Sequence, residues 1–382
     1  MKKFILLIAL SLFSLISLQI NAQKPEKVVS IVRAVKDYEW YKTQSQAWKK
    51  VLEKEPKNEE AWIYYYTATR MARLANYQEW QKLQNKGFEP LEQIIENAEK
   101  QIPNTFTINY LKVYNYSSFS EKGKEALENC KKTDPNSLRI LPDLVTQAIV
   151  NYDEKNLTTL CTRWYESNEM PSELLSFNYN LLMSVEKDAI LFVQGDNDTY
   201  PCYVLQYGLN IRKDVLVINA SLIQTEEHQK EICKKLNIKP MKADSSTLFD
   251  EAKILQYITK NHGNRPVYFA CTMDTKYYKN MQDSTYMVGL TFKYSTEDFD
   301  NVAIMRKNFE QIYQLDYLKN TFSFHTSSSV VDQINSCYIP MFIKLYEHYK
   351  NSGDKEKAEK VKSLAMILSQ RMKYEQFLEY FN

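Results

Sequence analysis

Three short apolar runs govern what the middle of this chain can become. They occupy residues 189–193 (AILFV), 214–219 (DVLVIN) and 266–271 (PVYFAC). Each is too short for a buried helix and rich in β-branched or aromatic residues, so each reads as a strand covered on both faces. The segments between them carry helical patterning. Residues 199–209 (TYPCYVLQYGL) place Tyr203, Val204 and Tyr207 on one face. Residues 225–236 (TEEHQKEICKKL) open with acids, which suit the positive end of a helix. Thr247 with Asp250 forms a variant capping box for a further helix that closes near His262 and Gly263. Strand, helix, strand, helix, helix, strand predicts a parallel sheet with right-handed crossovers.

The first half of the chain follows a different period. Residues 24–183 hold only Gly87 and Gly123 among the glycines, and all five tryptophans (Trp40, Trp48, Trp62, Trp80, Trp164). Helical spacing dominates there. In residues 45–68, Ala47, Val51 and Leu52 mark one helical face. EPKN at 55–58 then stops that helix, because proline lacks the N–H and clashes with the preceding turn. Ala61, Trp62 and Tyr65 begin the next. Similar punctuation recurs at Pro103, Pro135 and Pro171. The later intervals approach the roughly 34-residue period of tetratricopeptide repeats. An array of helical hairpins is expected, burying one face against its neighbours and leaving a groove for a protein partner. The aromatic residues are expected to fill the stack. Residues 339–368 return to the same texture, with an NSGD turn at 351–354 between two helices.

The expected organisation is therefore α/β plus all-α. A leader covers 1–22, tetratricopeptide-like helical repeats cover 23–185, a central parallel α/β module covers 186–320, and C-terminal helices cover 321–382. The leader is read from Lys2 and Lys3, an apolar stretch at 4–18 and a polar end at Ala22 before Gln23. It predicts export to the periplasm or cell surface, and a processed chain that does not span the membrane. Losing Lys2 and Lys3 leaves acidic and basic residues balanced, which argues against a nucleic-acid partner. The six cysteines form no C-x-x-C pair, and the four histidines share no ligand spacing. No metal or cofactor is expected. Buried free thiols are expected at the cysteines.

The candidate site is the turn that ends the first strand, residues 195–199 (GDNDT). It lies at the carboxyl edge of the predicted sheet, where ligands bind in open α/β folds. Gly195 permits a positive φ. Asp198 or Thr199 is expected to cap the following helix, with Pro201 in its first turn. Asp196 and Asn197 then have no local duty. Two carboxylates at a helix start oppose a phosphate ligand and suit hydroxyls, amines or a cation. The D-x-D-x-T phosphatase pattern is excluded, because Thr199 directly follows Asp198. No nucleophile elbow or glycine-rich phosphate loop occurs.

Residues 189–223 resemble the soluble extracytoplasmic tail of a family of bacterial multi-spanning membrane proteins. The membrane part of that family is related to protein O-mannosyltransferases of the GT-C glycosyltransferase class. The resemblance rests on residues 195–201 (GDNDTYP), Leu205 with Gln206, Arg212, Asp214 with Val215, Asn219, and Ser221 with Leu222. Residues 264–272 (NRPVYFACT) and 286–295 (YMVGLTFKYS) resemble later blocks of the same tail. It implies a soluble α/β module outside the cytoplasm, a source among the Bacteroidota, and candidate ligand contacts at Gly195, Asp196, Asn197, Asp198, Thr199, Arg212 and Asn219. The membrane portion that carries the family's transferase carboxylates is missing here, so glycosyl transfer is not implied. Two functions are open. One is a non-catalytic binding or scaffold protein that takes a protein partner on its repeats and a glycan or a membrane glycosyltransferase on its α/β module. The other is a carboxylate-dependent hydrolase or glycosyl-transfer-related enzyme using Asp196 and Asp198, which needs one acid protonated and one ionised.

Overall fold

The computed structural model describes residues 24–78, 88–241, 250–320 and 325–381. The expected leader, Trp80, Gly87 and Thr247 lie outside the described residues. The chain divides between Asn136 and Ser137 into two compact units.

The first unit is helical. Its elements are α1 (Tyr38–Lys54), α2 (Glu59–Ala75), α3 (Leu91–Gln101), α4 (Phe106–Tyr116) and α5 (Glu121–Thr133). Pro56 and Pro103 sit in the turns between consecutive helices, as the punctuation requires. Asn58 caps α2 by accepting from the Ala61 N–H, and Thr105 caps α4 by accepting from the Ile108 N–H. Helix α2 is buried nearly all round, from Ala61 through Ala72, because α1, α3 and α4 all pack on it. Trp62, Tyr64, Tyr65 and Tyr66 are core residues there. A Ser45–Thr69 hydroxyl contact of 2.9 Å ties α1 to α2 inside that core.

The second unit holds the sheet. Three helices precede it: α6 (Leu141–Val150), α7 (Glu154–Glu166) and α8 (Ser172–Met183). Their apolar faces, including Val145, Cys161, Phe177 and Leu181, belong to the same core as the strands. A division at 185 was expected, but the helices from 141 to 183 share the core of the second unit. An amphipathic helix packs against whatever apolar face is nearest, and here α7 packs on residues 204–208 and α8 on residues 196–203, the helical segment that follows the first strand.

The strands are β1 (Ile190–Val193), β2 (Leu216–Asn219), β3 (Val267–Ala270), β4 (Thr285–Met287) and β5 (Thr291–Tyr294), in the order β2-β1-β3-β5-β4. The three predicted strands are parallel, with Ile190 beside Leu216 on one side and Val267 on the other. The hairpin β4–β5 then adds antiparallel to β3, with Phe269 beside Phe292, so the sheet is mixed. Strand β1 lies between β2 and β3, and all four of its side chains are buried. Burial of this kind contributes roughly 2 kcal/mol per large apolar side chain.

Between the strands run α9 (Asp196–Tyr203), α10 (Glu226–Leu236) and α11 (Glu251–Lys260). Asp250 caps α11, accepting from the Lys253 N–H. Helix α9 widens into a π-turn over Val204–Gly208, which lies along α7. Gly208 permits that approach, since a Cβ there would meet the Cys161 carbonyl at 3.0 Å. After the sheet come α12 (Asn301–Lys307), α13 (Asp316–Lys319), α14 (Ser328–Asn335), α15 (Ile339–Ser352) and α16 (Lys355–Met372). Helices α15 and α16 form the expected C-terminal hairpin. Gly353 ends the first in a left-handed conformation, and Asp354 caps the second by accepting from the Lys357 N–H. None of the six cysteines is joined in a disulfide, and four of them are buried.

Candidate functional site

The turn after β1 lies at the carboxyl edge of the three parallel strands. Gly195 adopts φ 90° and ψ 178°, a region open essentially to glycine alone. It occupies the position preceding α9, so the helix starts at Asp196 rather than after Asp198. This overturns the expected cap. Asp198 and Thr199 stand inside the first turns of the helix and no side chain caps it. Pro201 is an interior residue rather than a first-turn one.

An interior proline leaves the carbonyl four residues earlier without its donor. That carbonyl belongs to Asn197, and the Asn178 side-chain amide on α8 donates to it at 2.8 Å. The same amide donates to the Leu174 carbonyl, and its oxygen accepts from the Cys202 thiol at 3.4 Å. Burial pushes the Cys202 thiol well above its usual range.

The early start of α9 turns Asp198 inward. It is 1% exposed. Its Oδ2 accepts from the Gln194 N–H at 2.9 Å and from the Thr272 hydroxyl in a short contact. Thr272 follows β3, so the carboxyl group ties the end of β1 to the end of β3. The Gln194 side chain repeats the link, its Oε1 accepting from the Asp274 N–H at 2.8 Å. Burial raises the Asp198 carboxyl to about 7, despite the hydrogen bonds that favour its anion; the nearby Asp196 adds to the rise.

Thr199 makes the matching link to β2. Its hydroxyl donates to the Gly195 carbonyl at 2.5 Å and accepts from the Asn219 amide at 2.7 Å. The Asn219 oxygen accepts from the N–H groups of Ser221 and Leu222, shaping the turn after β2. Gly195, Asp198, Thr199 and Asn219 are thus brought together as a joint between three strand ends. At the surface of that joint, Asp196 is exposed and Asn197 half-buried. Beside them, the Tyr200 hydroxyl shares a 2.7 Å hydrogen bond with Thr146 on α6.

Arg212 lies elsewhere, at the amino end of β2. Its guanidinium donates to both Asp214 oxygens at 2.9 Å and to the carbonyls of Leu182, Val185 and Glu186. All five of its N–H groups are occupied. The fork holds the Asp214 carboxyl down at about 2. Arg212 therefore closes the loop between α8 and β1.

Sequence reasoning missed Asn178, Gln194 and Thr272. Gln194 and Thr272 are the residues just past strand ends, a position that could have marked them. Nothing local marks Asn178, because its partner is set by a proline on another helix. Among the described residues there is no His, Cys, Asp and Glu group that could hold a metal ion, and no helix is long and apolar enough to cross a membrane.

No curated protein and no solved structure matches the chain. A family model does, over the segment that contains Asn178, the turn, Arg212 and Asn219. Across residues 174–237, from within α8 through β1, α9 and β2 to the end of α10, the chain is similar to the family described as TMEM260-associated domain 2.

Proposed function

We propose that this is an exported, non-catalytic binding or scaffold protein of the periplasm or cell surface. Its first unit, with tetratricopeptide-like hairpins, holds a protein partner. Its mixed-sheet module presents the rim of the 195–197 turn to a glycan or to a membrane glycosyltransferase. One observation carries the reading: the polar groups of the turn are consumed in joining strand ends. Asp198 is turned inward at 1% exposure, while Gly195 and Asp196 form an outward rim. The match to a domain named for its association with TMEM260, together with the resemblance to membrane-protein tails, supports a partner in the envelope. Crosslinking of the full chain in cells, followed by capture and identification, tests this. An envelope glycosyltransferase or glycoconjugate should be recovered, and recovery should fall with Asp196→Lys. Capture of cytoplasmic proteins alone would refute it.

The unequal settings of Asp196 and Asp198 favour a second reading. A buried, proton-holding acid two residues from an exposed one matches the acid and base division of carboxylate enzymes. That reading requires turnover of a glycoside that vanishes in Asp198→Asn while the fold persists.

A further inference from the structure

Two thiols meet where the sheet joins the C-terminal helices. Cys271 directly follows β3, and Cys337 lies in the single turn Ser336–Tyr338 between α14 and α15. We propose that they are the two halves of one disulfide, formed by exchange with an external disulfide, which locks the C-terminal helices to the carboxyl end of β3. The chemistry of this pair does not depend on the function proposed for the 195–197 rim.

Geometry carries the assignment. The Cys271 and Cys337 side chains are in hydrogen-bonding contact, although they lie far apart in the chain. Contacts on both sides hold them there. The Cys271 N–H donates to the Leu290 carbonyl at 2.9 Å, and the Leu290 N–H donates to the Tyr313 hydroxyl at 3.0 Å. The Tyr313 ring lies 5.9 Å from the ring of Tyr338, the residue after Cys337. The Tyr338 hydroxyl accepts from the Asn180 amide on α8 at 2.8 Å. Both sulfurs are therefore carried by backbone fixed from several directions, and they meet at a high effective concentration. They are also the two part-exposed cysteines of the six, the other four being buried.

In the exchange, one of the two sulfurs attacks the external disulfide as its thiolate and releases one thiol. The other then attacks the protein sulfur of the mixed disulfide and releases the second thiol. The cysteines lose two protons and two electrons, and the external disulfide takes up both in becoming two thiols. Burial holds the Cys271 thiol well above its usual range, and the neighbouring Cys337 adds to the rise. The reduced pair thus gains nothing from a stabilised thiolate, the device that makes some protein disulfides strong oxidants. The bond is a structural bridge, of the kind that persists in an oxidising compartment.

The test equilibrates the purified full chain with equal millimolar concentrations of reduced and oxidised glutathione. One sample is treated folded and another is refolded in the mixture, so that access to the sulfurs does not limit the result. Alkylation and peptide mapping by mass spectrometry then show which thiols are blocked. Cys271 and Cys337 should be joined to each other, with the other four cysteines alkylated. The oxidised chain should melt about 8 °C above the reduced one, because the bond closes a long loop in the unfolded chain. Cys337→Ser should melt near the reduced wild type and show no rise with oxidant. The peptide map of the wild type decides the pairing even if that variant folds poorly. Six alkylated thiols in both samples overturn the proposal. So does Cys271 or Cys337 joined only to glutathione or to another cysteine, or an equal rise in Cys337→Ser.

Discussion

Replacing Asp198 by asparagine should abolish a pH dependence of stability that the wild-type chain carries. The folded carboxyl sits at about 7 against 3.8 for the free group, because burial penalises its anion. A raised acid stabilises the fold while it can stay neutral. That contribution is complete below 3.8, is lost progressively as pH rises from 3.8 towards 7, and is gone above 7. Each unit of pKa difference corresponds to about 1.4 kcal/mol, so the whole change is about 4 kcal/mol. Asparagine copies the neutral acid. Both donors, the Gln194 N–H and the Thr272 hydroxyl, meet one oxygen of Asp198, and the asparagine carbonyl can accept both. The variant should therefore match the wild type near pH 4 and exceed it by several kcal/mol at pH 8. Urea denaturation at pH 4, 6 and 8, followed by circular dichroism and tryptophan fluorescence, measures this. Taking the difference between the two proteins removes a second titration. His228 is buried and lowered to about 4, so it stabilises above 6.5 and loses that contribution as pH falls from 6.5 to 4 in both chains. A difference that does not change between pH 4 and 8 would refute the reasoning, as would a variant weaker than the wild type at pH 8.

Gly195→Ala should destabilise the second unit by about 2 kcal/mol through backbone strain, since no atom lies within 4 Å of the added Cβ. Thermal melting measures it, and an unchanged melting temperature would count against the turn conformation. Arg212→Gln should cost about 3 kcal/mol, because the carbonyls of Leu182, Val185 and Glu186 lose their donor together with the Asp214 pair. It should leave ligand or partner binding at the 195–197 rim intact in the surviving folded fraction, which separates support from recognition. Asn178→Leu should cost about 2 kcal/mol by stranding the Asn197 carbonyl. Pairing it with Pro201→Ala, which restores the missing helix donor, should recover part of that loss in a double-mutant cycle.

Much of the fold was legible because it depends on local chemistry. Runs of four or five apolar residues bounded by turn formers have few destinations other than buried strands, and β1, β2 and β3 occupy them. Pro56 and Pro103 stop helices for covalent reasons that no packing can override. Gly353 and Asp354 end one helix and start the next by the same local rules. The β4–β5 hairpin was not foreseen as part of the sheet, since all its strand side chains except Thr291 are only half-buried and its apolar pattern is correspondingly weak.

The candidate turn shows where that legibility ends. Its residues and its place at the carboxyl edge followed from composition and order, because glycine alone tolerates the conformation that turns a buried strand into a helix there. Which carboxylate faces outward depended on where α9 begins, three residues earlier than a start after Asp198 would put it. Tertiary contacts decided that start. Asn178 satisfies the carbonyl stranded by Pro201, Thr272 waits beyond β3 for Asp198, and Asn219 waits at the end of β2 for Thr199. Each partner lies tens of residues away in the chain, so the choice between a ligand site and a joint could be made only when the strands came together.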